Sequence, residues 1–191
     1  MDASIGGKTA IDHPKAKNLI GAFHQPRLVL VDPAVVQSLP DREFRSGLAE
    51  IAKHGIVLDA DYLLDVERSA PVLLRRDLDT LARIIGGSCR LKAGIIERDP
   101  EEKGELRFAL NYGHTIGHAL EATTGYARWT HGEAVSIGIA VMLMYLILVM
   151  QFGSFIEPLA IMISLPLSLI GVMLVAEGMV LVKLWLHVSS E

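Results

Sequence analysis

Apolar residues return at helical spacing from Phe44 to Leu58, with Leu48, Ile51, Ala52 and Gly55 along one face. Pro40-Asp41-Arg42-Glu43 opens this helix and places two acidic residues at its positive end. Residues 60–68, 72–98 and 114–124 carry the same spacing and read as further helices. Between two of them, Asp99-Pro100-Glu101-Glu102-Lys103-Gly104 reads as a charged loop, and the charges over 97–103 as solvated surface. The β-type run is Arg27-Leu-Val-Leu-Val31, closed by the turn signal Asp32-Pro33. Asp32 would cap a short helix over 33–38. Residues 1–26, rich in Gly and Pro with interspersed polar groups, read as loop with a short helix near Lys17–Ala22. The pattern predicts a mainly α fold with one short β-strand region.

The polar pattern stops abruptly. Of 18 Lys and Arg and 22 Asp and Glu residues, only Glu157, Glu177, Lys183 and Glu191 lie beyond Glu133. Residues 134–156 form an uncharged run of 23, and 158–176 one of 19, divided by Glu157-Pro158. Each is near the ~20 residues a membrane-spanning helix needs. The pair reads as an apolar helical hairpin, either in a membrane through residues 134–176 or as two core helices of a soluble bundle. Lys183 and His187 would mark an interfacial end. This break explains why hydrophobic residues reach 51% and mean hydropathy +0.38, high values for a soluble enzyme. It divides the chain into a charged part, 1–139, and an apolar part, 140–191.

A net charge of −4 and the lack of a basic stripe argue against a nucleic-acid partner. The single cysteine, Cys89, reads as a small core residue. No basic region followed by an apolar run opens the chain, so no signal peptide is expected. Gly6-Gly7-Lys8-Thr9 is not a P-loop, because Asp2 stands where that motif needs its first glycine. Tyr126 and Trp129 read as packing residues, and His13, His24 and His54 as ordinary polar or substrate-edge residues.

The strongest chemical signal is Asn111-Tyr-Gly-His114-Thr-Ile-Gly-His118-Ala-Leu-Glu121, followed by His131-Gly132-Glu133 and preceded by Gly47-Leu-Ala-Glu50-Ile-Ala-Lys53-His54-Gly55. Two imidazoles and a carboxylate with an open position are the donor set of a catalytic zinc site. His114 and His118, four apart, share a helix face. Spacing alone leaves open whether they are a ligand pair or two histidines hydrogen-bonded in the core.

These motifs, with Asp2-Ala-Ser-Ile-Gly-Gly-Lys8-Thr, Lys17-Asn18-Leu-Ile-Gly21 and Ala22-Phe-His-Gln-Pro26, resemble the 3-dehydroquinate synthase family in order from the first residue to about Ile139. Sugar-phosphate cyclases that make inosose or valiolone products share much of the pattern. The resemblance implies a zinc site, with cobalt as a substitute, on Glu50, His114 and His131. It gives His118 the proton and phosphate handling beside the metal, and makes Lys53, Lys92, Arg107 and Asn111 substrate contacts. It places Asp2, Lys8 and Lys17 at NAD, Asn18 at the substrate, and Val35, Val36, Gln37 and Ser38 against NAD. The implied activity is a shikimate-pathway step in a cytoplasmic homodimer. It converts 3-deoxy-D-arabino-heptulosonate 7-phosphate, a small sugar-acid phosphate, to 3-dehydroquinate with release of phosphate.

Two departures from the family are expected to matter. The Gly-rich dinucleotide-binding domain would precede Asp2, and no Gly-x-Gly-x-x-Gly run replaces it. The family pattern stops after Gly138, and the Gln151-Phe-Gly-Ser154 … Pro158 … Ser164-Leu-Pro166-Leu spacing within 145–171 resembles a transmembrane hairpin of resistance-nodulation-division efflux pumps. That stretch has no acidic proton-relay residues within its apolar runs, so no transport is expected. The sequence reads as a chimera of a truncated synthase and a membrane segment.

Overall fold

The structure, a computed structural model, describes residues 2–13 and 16–164, and only the backbone of 12, 13 and 16–19. The chain divides into two compact units, Met1–Ala140 and Val141–Glu191.

In the first unit a 3-10 turn (Asp2–Ser4) leads into an antiparallel hairpin of β1 (Lys8–His13) and β2 (Ala16–Phe23). This corrects the short helix expected near Lys17–Ala22. Six residues are too few to offset the cost of starting a helix. Paired instead across the hairpin, Ile11 faces Ile20, Lys8 faces Phe23, and the Thr9 hydroxyl donates to the Ala22 carbonyl at 2.8 Å. Conversely, the run 27–31 forms no strand. Its backbone has no ladder among the described residues, and Leu28 and Leu30 are 81% and 90% exposed. A β-prone sequence needs a neighbouring strand, and none of the described residues supplies one.

Asp32 caps a 3-10 helix at Pro33–Ser38, its Oδ1 accepting from Ala34 N at 2.9 Å. The helices follow as α1 (Asp41–Leu58), α2 (Ala60–Leu73), α3 (Leu78–Arg98), a 3-10 segment (Leu106–Asn111) and α4 (His114–Thr123). The break expected near residue 70 lies instead at 74–77. Pro71 is tolerated in the last turn of α2, and Asp77 starts α3 by accepting from Thr80 N and Thr80 Oγ1. The apolar faces of α1 to α3 meet at Val36, Phe44, Leu73, Leu81, Ile84 and Ile85, with Leu48, Tyr62 and Cys89 packed around them. The 97–103 charges are not all surface. Asp99 is buried, and its carboxylate accepts from Lys103 N and Gly104 N at 2.8 and 3.1 Å, which shapes the loop.

Helix α5 (His131–Phe152) begins in the first unit, where Ala134, Val135, Gly138 and Ile139 are buried. It crosses α4 at glycine. A Cβ on Gly138 would lie 2.0 Å from Gly113 O, and one on Gly132 would lie 1.9 Å from Ser46 O. In the second unit Leu146, Ile147, Met150, Phe155 and Ile156 are exposed, and residues 157–164 are helical. The rest of the expected hairpin, with Lys183 and His187, lies outside the described residues. α5 is long and apolar enough to cross a membrane, with a mean hydropathy of 2.3 in its most apolar window.

Candidate metal centre

Three elements bring the metal-type residues together. Glu50 comes from the middle of α1, His114 from the first position of α4, and His131 from the first position of α5. Gly113, with φ +78°, turns the chain into α4 in a conformation that only glycine adopts without strain. Glu50 Oε1 lies 3.5 Å from His114 Nε2 and 3.6 Å from His131 Nε2. Glu50 Oε1 is buried and has no hydrogen-bond partner. Tetrahedral zinc with bonds of about 2.0–2.2 Å sets its ligands roughly 3.3–3.6 Å apart. An orphaned carboxylate oxygen at that spacing from two imidazole nitrogens fits such an ion, and the O,N,N donor set suits it.

The outer contacts orient the ligands. His114 Nδ1 faces the Tyr112 carbonyl at 3.3 Å, and His131 Nδ1 faces Glu121 Oε2 at 3.4 Å. Each contact leaves Nε2 toward Glu50. Lys53, almost wholly buried, donates to Glu50 Oε2 at 2.5 Å and to the Leu110 carbonyl at 2.7 Å. Burial alone would raise the Glu50 carboxyl. The facing His131 and the Lys53 ammonium outweigh it, and Glu50 stays ionised far below the usual carboxylate range. Burial, with help from Lys53, pushes His114 down to about 4, so its imidazole is neutral and available to a metal near pH 7.

His118 stands beside the trio, its ring centroid 5.3 Å from that of His114 and 5.9 Å from that of His131. The same cavity, about 350 Å³, is lined by Lys53, Lys92, Arg107 and Asn111. Asp2 and Lys8 also line it. Asp2 accepts from Lys92 Nζ at 2.9 Å, and Lys8 pairs with Glu102 at 2.5 Å. Burial acts to raise Asp2, but the Lys92 ammonium holds it below its ordinary value. Arg107 is buried and donates to the Asp99 and Pro100 carbonyls at 3.4 and 3.3 Å. The side chains of Lys17 and Asn18 lie outside the described residues. Val36 belongs to the apolar core, while Val35 is exposed. Ser38 donates to the Val35 carbonyl, and the Gln37 carbonyl accepts from Arg76. Val36, Asp2 and Glu50 line an adjoining cavity of about 120 Å³.

Two residues were not foreseen in these positions. His54, read as ordinary or edge, is fully buried. Its Nδ1 meets Ser88 Oγ at 2.8 Å, and burial lowers its pKa to about 4. Glu121 is 3% exposed beside His131. It stands seven residues after His114 and three after His118, so helical spacing alone puts all three on one face of α4.

A carboxylate and two imidazoles stand around one point, beside three cationic side chains and a third imidazole, an arrangement that could hold a metal ion. Comparison with known proteins specifies the family. A family model described as 3-dehydroquinate synthase C-terminal matches residues 47–155, and one described as 3-dehydroquinate synthase N-terminal matches residues 1–46. The chain belongs to the 3-dehydroquinate synthase family. It is 55% identical over 140 residues to a 3-dehydroquinate synthase of Geotalea uraniireducens, covering 73% of this chain and 39% of that enzyme. It is 52% identical over 138 residues to the corresponding synthase of Geobacter metallireducens, covering 72% of this chain and 38% of that one. The chain thus spans 38–39% of the length of these relatives. Among solved structures, a 2-epi-5-epi-valiolone synthase from Streptomyces hygroscopicus, with NAD+ and Zn2+ bound, matches with a TM-score of 0.67 at 29% identity. That match covers 73% of this chain and 39% of that one. These matches lend no support to the efflux-pump resemblance of residues 145–171, and the family C-terminal model runs on into that stretch, to residue 155.

Proposed function

We propose that this chain carries the metal- and substrate-binding part of a 3-dehydroquinate synthase. Its reaction would convert 3-deoxy-D-arabino-heptulosonate 7-phosphate to 3-dehydroquinate and phosphate. The observation that carries the reading is the convergence of Glu50, His114 and His131 on one point of a cavity that also presents Lys53, Lys92 and Arg107.

Bound zinc, held by Glu50, His114 and His131, would supply Lewis acidity to the substrate's hydroxyl and carbonyl oxygens. NAD would supply reversible hydride acceptance, and Asp2 and Lys8 would stand at one edge of its site. The chain's own residues do the rest. Lys92 and Arg107 provide fixed positive charge for the substrate's carboxylate and phosphate. Lys53 neutralises the second oxygen of Glu50 and so holds that carboxylate in place. His118, at the rim, is the proton carrier for loss of phosphate by β-elimination.

The test is phosphate release from the heptulosonate phosphate with NAD and zinc, by the chain supplied with the N-terminal portion of the Geotalea relative. His118→Ala should lower the rate about 10²–10⁴-fold and leave zinc binding intact. No phosphate release from the complemented wild-type chain would sink the reading.

The Streptomyces neighbour, a 2-epi-5-epi-valiolone synthase, favours one alternative, a related sugar-phosphate cyclase. Turnover of the valiolone synthase's own substrate, and not of the heptulosonate phosphate, would favour it. A second reading concerns α5, whose apolar side chains are exposed over 143–152. It would set the exposed part of α5, within 143–152, against a membrane. Recovery of the chain in the soluble fraction after carbonate washing would rule that out.

A further inference from the structure

Glu121 is a buried carboxylate on α4, and it makes one of the two carboxylate contacts at the His131 ring nitrogens. Burying an ionised carboxylate costs several kcal/mol unless positive charge or strong donors compensate. Among the groups that face it is an imidazole, Nδ1 of His131, at 3.4 Å. The opposite nitrogen of that ring faces Glu50 at 3.6 Å. His131 is the least enclosed of the trio. Its side chain is 42% exposed, against 15% for both His114 and Glu50. Packing therefore does not by itself fix its ring, and its aim depends on polar contacts at its two nitrogens. Glu121 is held well enough to give one. It lies near the end of α4, its carbonyl accepts from Tyr126 N at 2.8 Å, and the chain returns from there to His131.

We propose that Glu121 is the positioning residue for the metal ligand His131. It accepts the Nδ1 proton, fixes the ring with Nε2 toward Glu50, and adds a negative charge next to the bound dication. The inference rests on the zinc site proposed above and assigns a residue to which that reading gives no part. The contrast with His114 sharpens it. His114 Nδ1 meets a neutral backbone carbonyl, whereas His131 Nδ1 meets a carboxylate. Removal of an outer carboxylate from a metal-bound histidine typically costs about 10–100-fold in metal affinity.

The experiment titrates zinc, against a chromophoric chelator, into wild type, Glu121→Gln and His114→Ala, with Co(II) spectra alongside. The expected result is a zinc Kd raised about 10–100-fold in Glu121→Gln, an unchanged apo melting temperature, and wild-type Co(II) d–d bands. Wild-type zinc affinity in Glu121→Gln would overturn the proposal. So would changed d–d bands in that variant, which would make Glu121 a ligand. A measurement that needs no variant is imidazole 15N NMR of the zinc-loaded wild-type chain. It should show His131 protonated at Nδ1, and zinc on Nδ1 would overturn the inference. If the wild-type chain itself binds no zinc, or His114→Ala does not weaken binding, the metal-centre reading falls first. If those controls behave and only Glu121→Gln is silent, this inference alone falls.

Discussion

His114 and His131 meet different second contacts, a backbone carbonyl and a carboxylate, while burial sets the protonation of His114 and of His54. His114 and His54 are buried enough to stay neutral down to about pH 4. Folding therefore has a pH dependence that can be assigned to named residues. Below the ordinary histidine value of 6.5 the unfolded chain takes up protons at these positions and the folded chain does not. Their contribution to stability is complete above about pH 6.5 and is lost as pH falls toward 4. In the presence of a chelator, the melting temperature of the apo chain should fall between pH 6.5 and 4.5. His54→Gln should flatten that fall, and parallel curves for the two proteins would refute the assignment. At this scale the convergence of Glu50, His114 and His131 was legible only through the family motifs. Helical spacing suggested His114 with His118, since residues four apart share a face. The third ligand, His131, comes from another helix, and local spacing cannot report that. The burial of His54 was equally hidden, because it depends on α3 supplying Ser88 from 34 residues away.

Glycine governs how the metal-bearing elements meet. α4 and α5 approach so closely at Gly113 and Gly138 that a methyl group on Gly138 would overlap the Gly113 carbonyl. Gly138→Ala should therefore lower stability by roughly 2–3 kcal/mol and weaken zinc binding, because Gly113 immediately precedes His114. Thermal melting and zinc titration check both effects, and a variant with wild-type values would show that the crossing is looser than described. The long helices were legible because their signals are local, namely apolar spacing over 41–58 and Asp77 opening α3. The β-hairpin at 8–23 was not, because its evidence lies in cross-strand partners such as Ile11 and Ile20. For the same reason Arg27–Val31 looks like a strand in sequence and forms none. Its apolar side chains have no neighbouring strand among the described residues.

Over the whole chain, the first unit holds every described residue of the metal centre, and the second is dominated by apolar side chains. A chain ending at Ala140 should bind zinc with the stoichiometry of the full chain, as metal analysis of the two purified proteins would show. Loss of zinc on this truncation would mean that residues beyond 140 belong to the site. The change of composition after Glu133 was plain from charge counting alone. Its meaning was not, since the run lengths favour a membrane span but a very apolar core helix passes the same test. The family match through residue 155 counts toward the core-helix reading. The central claim is that Glu50, His114 and His131 hold one zinc ion. Metal content of the purified chain tests it most directly, measured for wild type and for Glu50→Gln, His114→Ala and His131→Ala. The account predicts one zinc per wild-type chain and substantial loss in each variant, whereas undiminished zinc in all three variants would contradict it.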